Sequence, residues 1–128
     1  ERVCDLGYLR VPYVKDGGRL DYRCAAERVR AEMALARGEA VEAAARRLTR
    51  AMAEVRRSAV PLETWRAGRV LGRVRRHLGD EAGAVEAFAA AAEAVHTIAA
   101  GINNAPMLRE GFLAAEPVRE VLDATPGS

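Results

Sequence analysis

The sequence predicts an all-α fold, and its composition, its apolar spacing and its helix-breaking signals agree on this. Half of the 128 residues are hydrophobic but only 5% are aromatic, and alanine is abundant. Alanine has the highest helix propensity, whereas sheets favour aromatic and β-branched residues. Apolar residues recur at helical spacing over four long segments, which end at glycine, proline or short polar loops. A chain of this length holds one core and therefore one domain.

The first long helix is predicted to follow an irregular segment, residues 1–20. Pro12 excludes a regular helix across it, and the Asp-Gly-Gly run at residues 16–18 is a turn signal. We expect the helix over residues 21–37, with Asp21 as its cap. Its apolar side is expected to contain Cys24, Val29, Met33 and Ala36.

Three further long helices are predicted over residues 40–57, 61–79 and 81–100. Pro61 suits the first turn of the third helix, and Gly79 ends it. Glycine, asparagine and proline then interrupt the pattern between residues 101 and 106. Two shorter helices are expected over residues 107–115 and 117–124. Residues 101–128 are therefore predicted to be a separate C-terminal segment of short helices and a tail, which the resemblance described below identifies as a cap.

The four long helices form two pairs that repeat each other. Three residues of the second helix recur 40 positions later in the fourth: Ala44, Leu48 and Ala51 correspond to Ala84, Phe88 and Ala91. Small residues at Gly72, Ala84 and Ala91 would let two antiparallel helices approach closely, with Leu71 and Phe88 filling the space between them. The alternative interpretation is a bundle of α-hairpins in which this spacing is coincidental.

The second pair resembles the helix-pair repeat of tetratricopeptide proteins. The residues that carry the resemblance are Leu71-Gly72, Gly79-Asp80, Ala84, Phe88 and Ala91. From about residue 21 to 121 the chain is also similar to the last repeats of large bacterial signalling ATPases linked to cyclase or kinase modules, and of large transcriptional activators. The resemblance implies two repeats over residues 21–100, a short right-handed α-solenoid, a closing cap, and upstream domains in the same polypeptide.

A basic stripe on the third helix is the candidate binding site. Arg66, Arg69, Arg73 and Arg76 step by 3, 4 and 3, so they share one face, and Arg28 extends the surface from the first repeat. The planar guanidinium group suits carboxylates or phosphates. Because the first helix of each tetratricopeptide pair lines a groove, the resemblance implies that this stripe docks an acidic peptide or domain. The alternative is a solvated face whose arginines pair with glutamates such as Glu27, Glu32 and Glu63.

Catalytic and cofactor sites are not indicated. His77 and His96 have no cysteine or carboxylate at ligand spacing, so no metal site is predicted. The sequence contains no phosphate loop, nucleophile elbow or dinucleotide fingerprint. Trp65 is interpreted as a packing residue between repeats. We therefore predict a protein-interaction scaffold that is not an enzyme and needs no cofactor.

Two other functions are alternatives to protein binding. Arginines on the second helix favour nucleic acid, namely Arg46, Arg47, Arg50, Arg56 and Arg57. Against this, 20 basic residues face 18 acidic ones, for a net charge of +2, and few aromatics are available to stack on bases. Nucleic acid is thus not the expected partner. The other alternative is a structural cap or a self-association surface at the N-terminal flank.

The expected location is the cytoplasm. No apolar run approaches the roughly 20 residues that a membrane span requires, and no basic start with an apolar core resembles a signal peptide. Cys4 and Cys24 are too few for a disulfide scaffold, which favours thiols in a reducing compartment.

Overall fold

The computed structural model describes residues 16–125, with side chains from residue 22 onward. Six α-helices occupy this part of the chain: α1 (Asp16–Arg37), α2 (Val41–Arg57), α3 (Pro61–His77), α4 (Glu81–Ala100), α5 (Pro106–Ala114) and α6 (Glu116–Asp123). It contains no strand. The predicted all-α class is therefore confirmed for the described part of the chain.

The first helix begins earlier than the sequence predicted. Residues 16–18 form the first turn of α1 rather than a loop, and Asp21 lies inside the helix instead of capping it. Extending a helix that is already nucleated adds one backbone hydrogen bond per residue, and this gain opposes the cost of about 1 kcal/mol for each of the two glycines. The prediction of an irregular segment is therefore wrong for residues 16–20. Residues 1–15 lie outside the described part of the chain.

Three-residue loops join the four long helices, so consecutive helices run antiparallel. Gly38 and Gly79 end α1 and α3 with φ values of +70° and +84°, a conformation that glycine adopts without steric penalty. Asp80 caps α4 by accepting a hydrogen bond from the Gly83 amide at 2.9 Å. These turns fix where each pair of helices meets.

The core consists of two clusters. The first lies among α1, α2 and α3 and is extended by two alanines of α4. The second lies among α3, α4 and α6, with Phe88 and Val95 of α4 packed against Val118 and Val121 of α6. α3 contacts α1 and α2 as well as α4, so it joins the two halves of the domain.

The α3–α4 contact is as close as the small residues predicted. A Cβ atom added at Gly72 would lie 2.6 Å from the Phe88 ring, and one at Gly68 would lie 2.8 Å from the Ala91 Cβ. Leu71, Phe88 and Ala91 are all buried. Glycine at both α3 positions therefore sets the distance between the two helices.

The cap consists of α5 and α6, which pack against each other and against α4. Val118, Val121 and Leu122 of α6 are buried in the second cluster. Trp65 of α3 meets Phe112 of α5 edge-on, with ring centroids 6.2 Å apart. Trp65 is thus a packing residue as predicted, but its aromatic partner belongs to the cap.

None of the helices in residues 16–125 has the length and apolarity needed to cross a bilayer.

Candidate functional site

Arg69 and Arg73 of the predicted basic stripe both bind one residue of the cap. Arg69 donates from Nε to Oε1 of Glu120 at 2.7 Å, and the Nε of Arg73 lies 3.0 Å from Oε2 of the same carboxylate. The two arginines are four residues apart on α3, which places them one above the other on the same face. This face of α3 therefore holds α6 in place through a shared carboxylate.

Arg28 lies apart from the other four arginines and joins α1 to α3. Its guanidinium donates from Nε to Oε2 of Glu63 at 2.8 Å, with a second contact of 3.4 Å to Oε1. Burial lowers the pKa of Arg28, but the hydrogen bond and charge of Glu63 outweigh it, so the pKa is raised overall. Glu63 is only 4% exposed and the Arg28 side chain is partly buried, so this pair is largely shielded from solvent.

Arg76 is occupied by neighbours on α4. It donates from Nε and Nη2 to the Glu81 carboxylate at 3.0 and 2.8 Å, and its guanidinium carbon lies 5.2 Å from the Phe88 ring centroid. The hydrogen bond raises the pKa of Arg76 and lowers that of Glu81. Fork-shaped pairing and ring stacking are both properties specific to arginine.

Arg66 is the one member of the predicted site that has no ion pair or side-chain hydrogen bond within the described residues. The structure thus brings Arg69 and Arg73 together, but it gives four of the five arginines a partner inside the domain. Of these partners the sequence interpretation named only Glu63. An acidic ligand on this face would have to compete with Glu120 for Arg69 and Arg73.

The prediction for the apolar side of the first helix is wrong. Some of the residues assigned to that side lie on the protein surface, where they form a second candidate site. Cys24 is fully buried, whereas Val29 and Met33 are 46% and 45% exposed. Five residues of a helix turn through about 500°, so Val29 points about 140° away from Cys24. Ala31 and Cys24 form the buried side of α1, and Ala36 lies on the exposed side with Val29 and Met33.

The exposed side of α1 carries a continuous apolar row, which we call the α1 stripe. Its members are Tyr22, Ala26, Val29, Met33 and Ala36. Tyr22 is 79% exposed. The steps of 4, 3, 4 and 3 residues match the seam along which two helices pack. That spacing is the signal in the sequence by which the stripe was recognisable.

A charged network borders the α1 stripe on the side facing α2. Glu27 accepts hydrogen bonds from Arg30 at 3.1 Å and from Arg47 at 3.1 Å. Arg23 lies 3.2 Å from Glu54 of α2. Arg47 and Arg50 line the same open groove between the two helices.

Side chains that could hold a metal do not come together in the described part of the chain. No group of three or more His, Cys, Asp or Glu residues with that geometry occurs among residues 16–125. His77 and His96 are both exposed, at the end of α3 and on α4.

Comparison of the chain with protein-family models, with curated proteins and with solved structures found no match. The resemblance to tetratricopeptide repeats therefore stays a prediction, and the functional argument depends on the geometry of the surface.

Proposed function

We propose that this domain is a protein–protein interaction scaffold that holds its partner on α1. The observation that carries the proposal is the difference between its two flanks. α6 covers the α3–α4 pair with buried Val118, Val121 and Leu122, whereas the residues of the α1 stripe are exposed in the described part of the chain. A contiguous apolar row on a surface helix commonly marks an interaction site.

The order of packing supports stacked repeats. α3 contacts both helices of the first pair, as the first helix of a second repeat does in a solenoid. On this proposal the two helix pairs stack as tetratricopeptide-like units in a short right-handed array, and α5–α6 closes one end. The role as docking or sensor arm of a cytoplasmic bacterial signalling protein, joined to upstream domains, depends on the resemblance alone.

The arginine face of α3 is the weaker candidate for the docking surface. Two of its residues share the Glu120 carboxylate, and a third is paired with Glu81. A partner that used these guanidinium groups would first have to release α6. The α1 stripe needs no such release.

Site-specific photo-cross-linking tests the proposal. A photoreactive amino acid at Met33, on the α1 stripe, should give a defined protein adduct in a bacterial lysate, resistant to nuclease and suppressed by excess unmodified chain. The matched control is the same group at Met107 of α5, which is 86% exposed and lies away from α1. Equal adducts from both positions, or none from Met33, would contradict the proposal. An adduct abolished by nuclease would instead favour nucleic-acid binding.

A further inference from the structure

The length and spacing of the α1 stripe define what fits on it. From Tyr22 to Ala36 the stripe covers 14 residue steps, or about 21 Å along the helix axis. Its 4-3-4-3 spacing presents the seam of a helix pair, into which apolar side chains of a second helix insert as knobs into holes. The surface is therefore suited to an amphipathic helix of about four turns.

One edge of the stripe is lined by arginines at seven-residue intervals. Arg23, Arg30 and Arg37 each directly follow a stripe residue and so lie along the same side of it. The groove beside them adds two arginines and two glutamates, so the charges near this edge are Arg23, Arg30, Arg37, Arg47 and Arg50 against Glu27 and Glu54. After the ion pairs are counted, this edge retains an excess of positive charge.

The opposite edge is different. Ala25 and Glu32 occupy the equivalent positions there, so the stripe has a basic edge and an edge with a single acidic residue. Residues at these edge positions select the partner and the orientation of paired helices. A second copy of α1 packed antiparallel would bring its arginine row against the first. A parallel copy would gain two symmetry-related favourable contacts, each between Arg37 of one helix and Glu32 of the other.

We propose that the α1 stripe docks an amphipathic helix of a partner protein whose apolar seam is bordered by aspartate or glutamate. This inference rests on the proposed function and names the chemistry of the partner at the same surface. Acidic residues beside the seam would lie against Arg37, for which the described residues provide no ion pair, and against Arg23 and Arg30, which they would share with Glu54 and Glu27. Apolar side chains would cover Val29 and Met33.

A pair of designed peptides tests the charge requirement. Both are 21-residue helices (about three heptads) with leucine along the seam, and one carries glutamate at every edge position where the other carries lysine. Like charges keep each peptide from pairing with itself. Fluorescence anisotropy with the full chain should show the glutamate peptide binding at least about tenfold more tightly than the lysine peptide. The difference should shrink as salt is added.

Charge reversal on α1 provides the second arm. The double substitution Arg30→Glu/Arg37→Glu should lower the affinity for the glutamate peptide by roughly two- to thirty-fold, the range expected for two exposed ion pairs. The same double substitution should raise the affinity for the lysine peptide. The matched control is Arg46→Glu with Arg57→Glu on α2, which changes net charge equally at exposed positions outside the stripe. The control should alter affinity by less than about twofold.

The inference is overturned if the lysine peptide binds as well as the glutamate peptide, or if the α1 and α2 reversals have equal effects. It is also overturned if neither peptide binds more tightly than about 1 mM. In that case a specific adduct from the Met33 photoprobe would leave the proposed function standing, and its absence would remove both.

Two other occupants would be recognised by different results. A dimer of the chain alone, seen by sedimentation and lost in Val29→Ser/Met33→Ser, would assign the stripe to a second copy. An intramolecular photo-adduct from Met33 to residues 1–15 would assign it to the chain's own N-terminal segment. Either result overturns the inference.

Discussion

Replacing Gly72 with alanine should destabilise the domain, although alanine is the better helix former. The added Cβ would lie 2.6–2.7 Å from three carbons of the Phe88 ring. Phe88 is 1% exposed and Arg76 lies 5.2 Å from its ring centroid, so the ring has little room to move. Overpacking of this kind costs about 3 kcal/mol at the upper end of its usual range. Alanine returns about 1 kcal/mol of helix propensity, which leaves a net loss of about 2 kcal/mol.

The matched control is Gly111→Ala in α5, where an added Cβ has no neighbour within 4 Å. Only the propensity gain applies there, so the free energy of unfolding should rise by about 1 kcal/mol. Urea unfolding followed by circular dichroism measures both changes, which should have opposite signs. Thermal midpoints should fall by about 8 °C for Gly72→Ala and rise by about 4 °C for Gly111→Ala.

The Phe88→Leu substitution tests whether contact with the Phe88 ring causes the loss of stability in Gly72→Ala. If the ring is what the new methyl group meets, the double variant Gly72→Ala/Phe88→Leu should be more stable than the sum of the single effects by at least about 1 kcal/mol. A neutral or stabilising Gly72→Ala, or strict additivity with Phe88→Leu, would refute the close approach of α3 and α4.

Three further predictions follow from the ion pairs. Glu120→Gln should cost no more than about 1 kcal/mol, because the pairs that it weakens are partly exposed, and hydrogen exchange should quicken in α6 with α1 unaffected. Glu63→Gln should cost about 1–3 kcal/mol in urea unfolding, because it leaves the Arg28 guanidinium partly buried without its carboxylate; an unchanged midpoint would contradict this. NMR titration should place the pKa of Glu81 below its ordinary value because of the hydrogen bond from Arg76. The stabilisation from this carboxylate is present above its unfolded pKa and is lost as the pH falls through the lower folded value.

The second helix pair was predictable because its determinants are local. The Leu71-Gly72 pair and the small residues of α4 specify a close contact whatever surrounds them. Gly68 makes an equally close approach, to Ala91, and was missed because no repeat pattern singled it out. Helix bounds were predicted to within a few residues, except at the start of α1.

The candidate site was harder to predict because its outcome depends on contacts between distant residues. Arg69 and Arg73 were correctly placed on one face, but Glu120 lies 51 residues beyond Arg69 and joins it only through the packing of α6. Spacing within one helix carries no information on such a partner. On α1 the prediction failed in the opposite direction, because residues assigned to the core are exposed. Val29 points away from the buried Cys24.

The three methionines allow a direct test of the claim that α1 is the interaction surface. Met33 lies on the α1 stripe, Met52 is buried in the core and Met107 is exposed on α5. With methyl-labelled methionine, NMR titration with the glutamate-edged peptide should shift the Met33 signal saturably and leave the other two unchanged. A shift of Met107 equal to that of Met33 would contradict the claim that α1 is the interaction surface, and a Met33 signal that does not move would overturn the inference that a helix with acidic edges binds there.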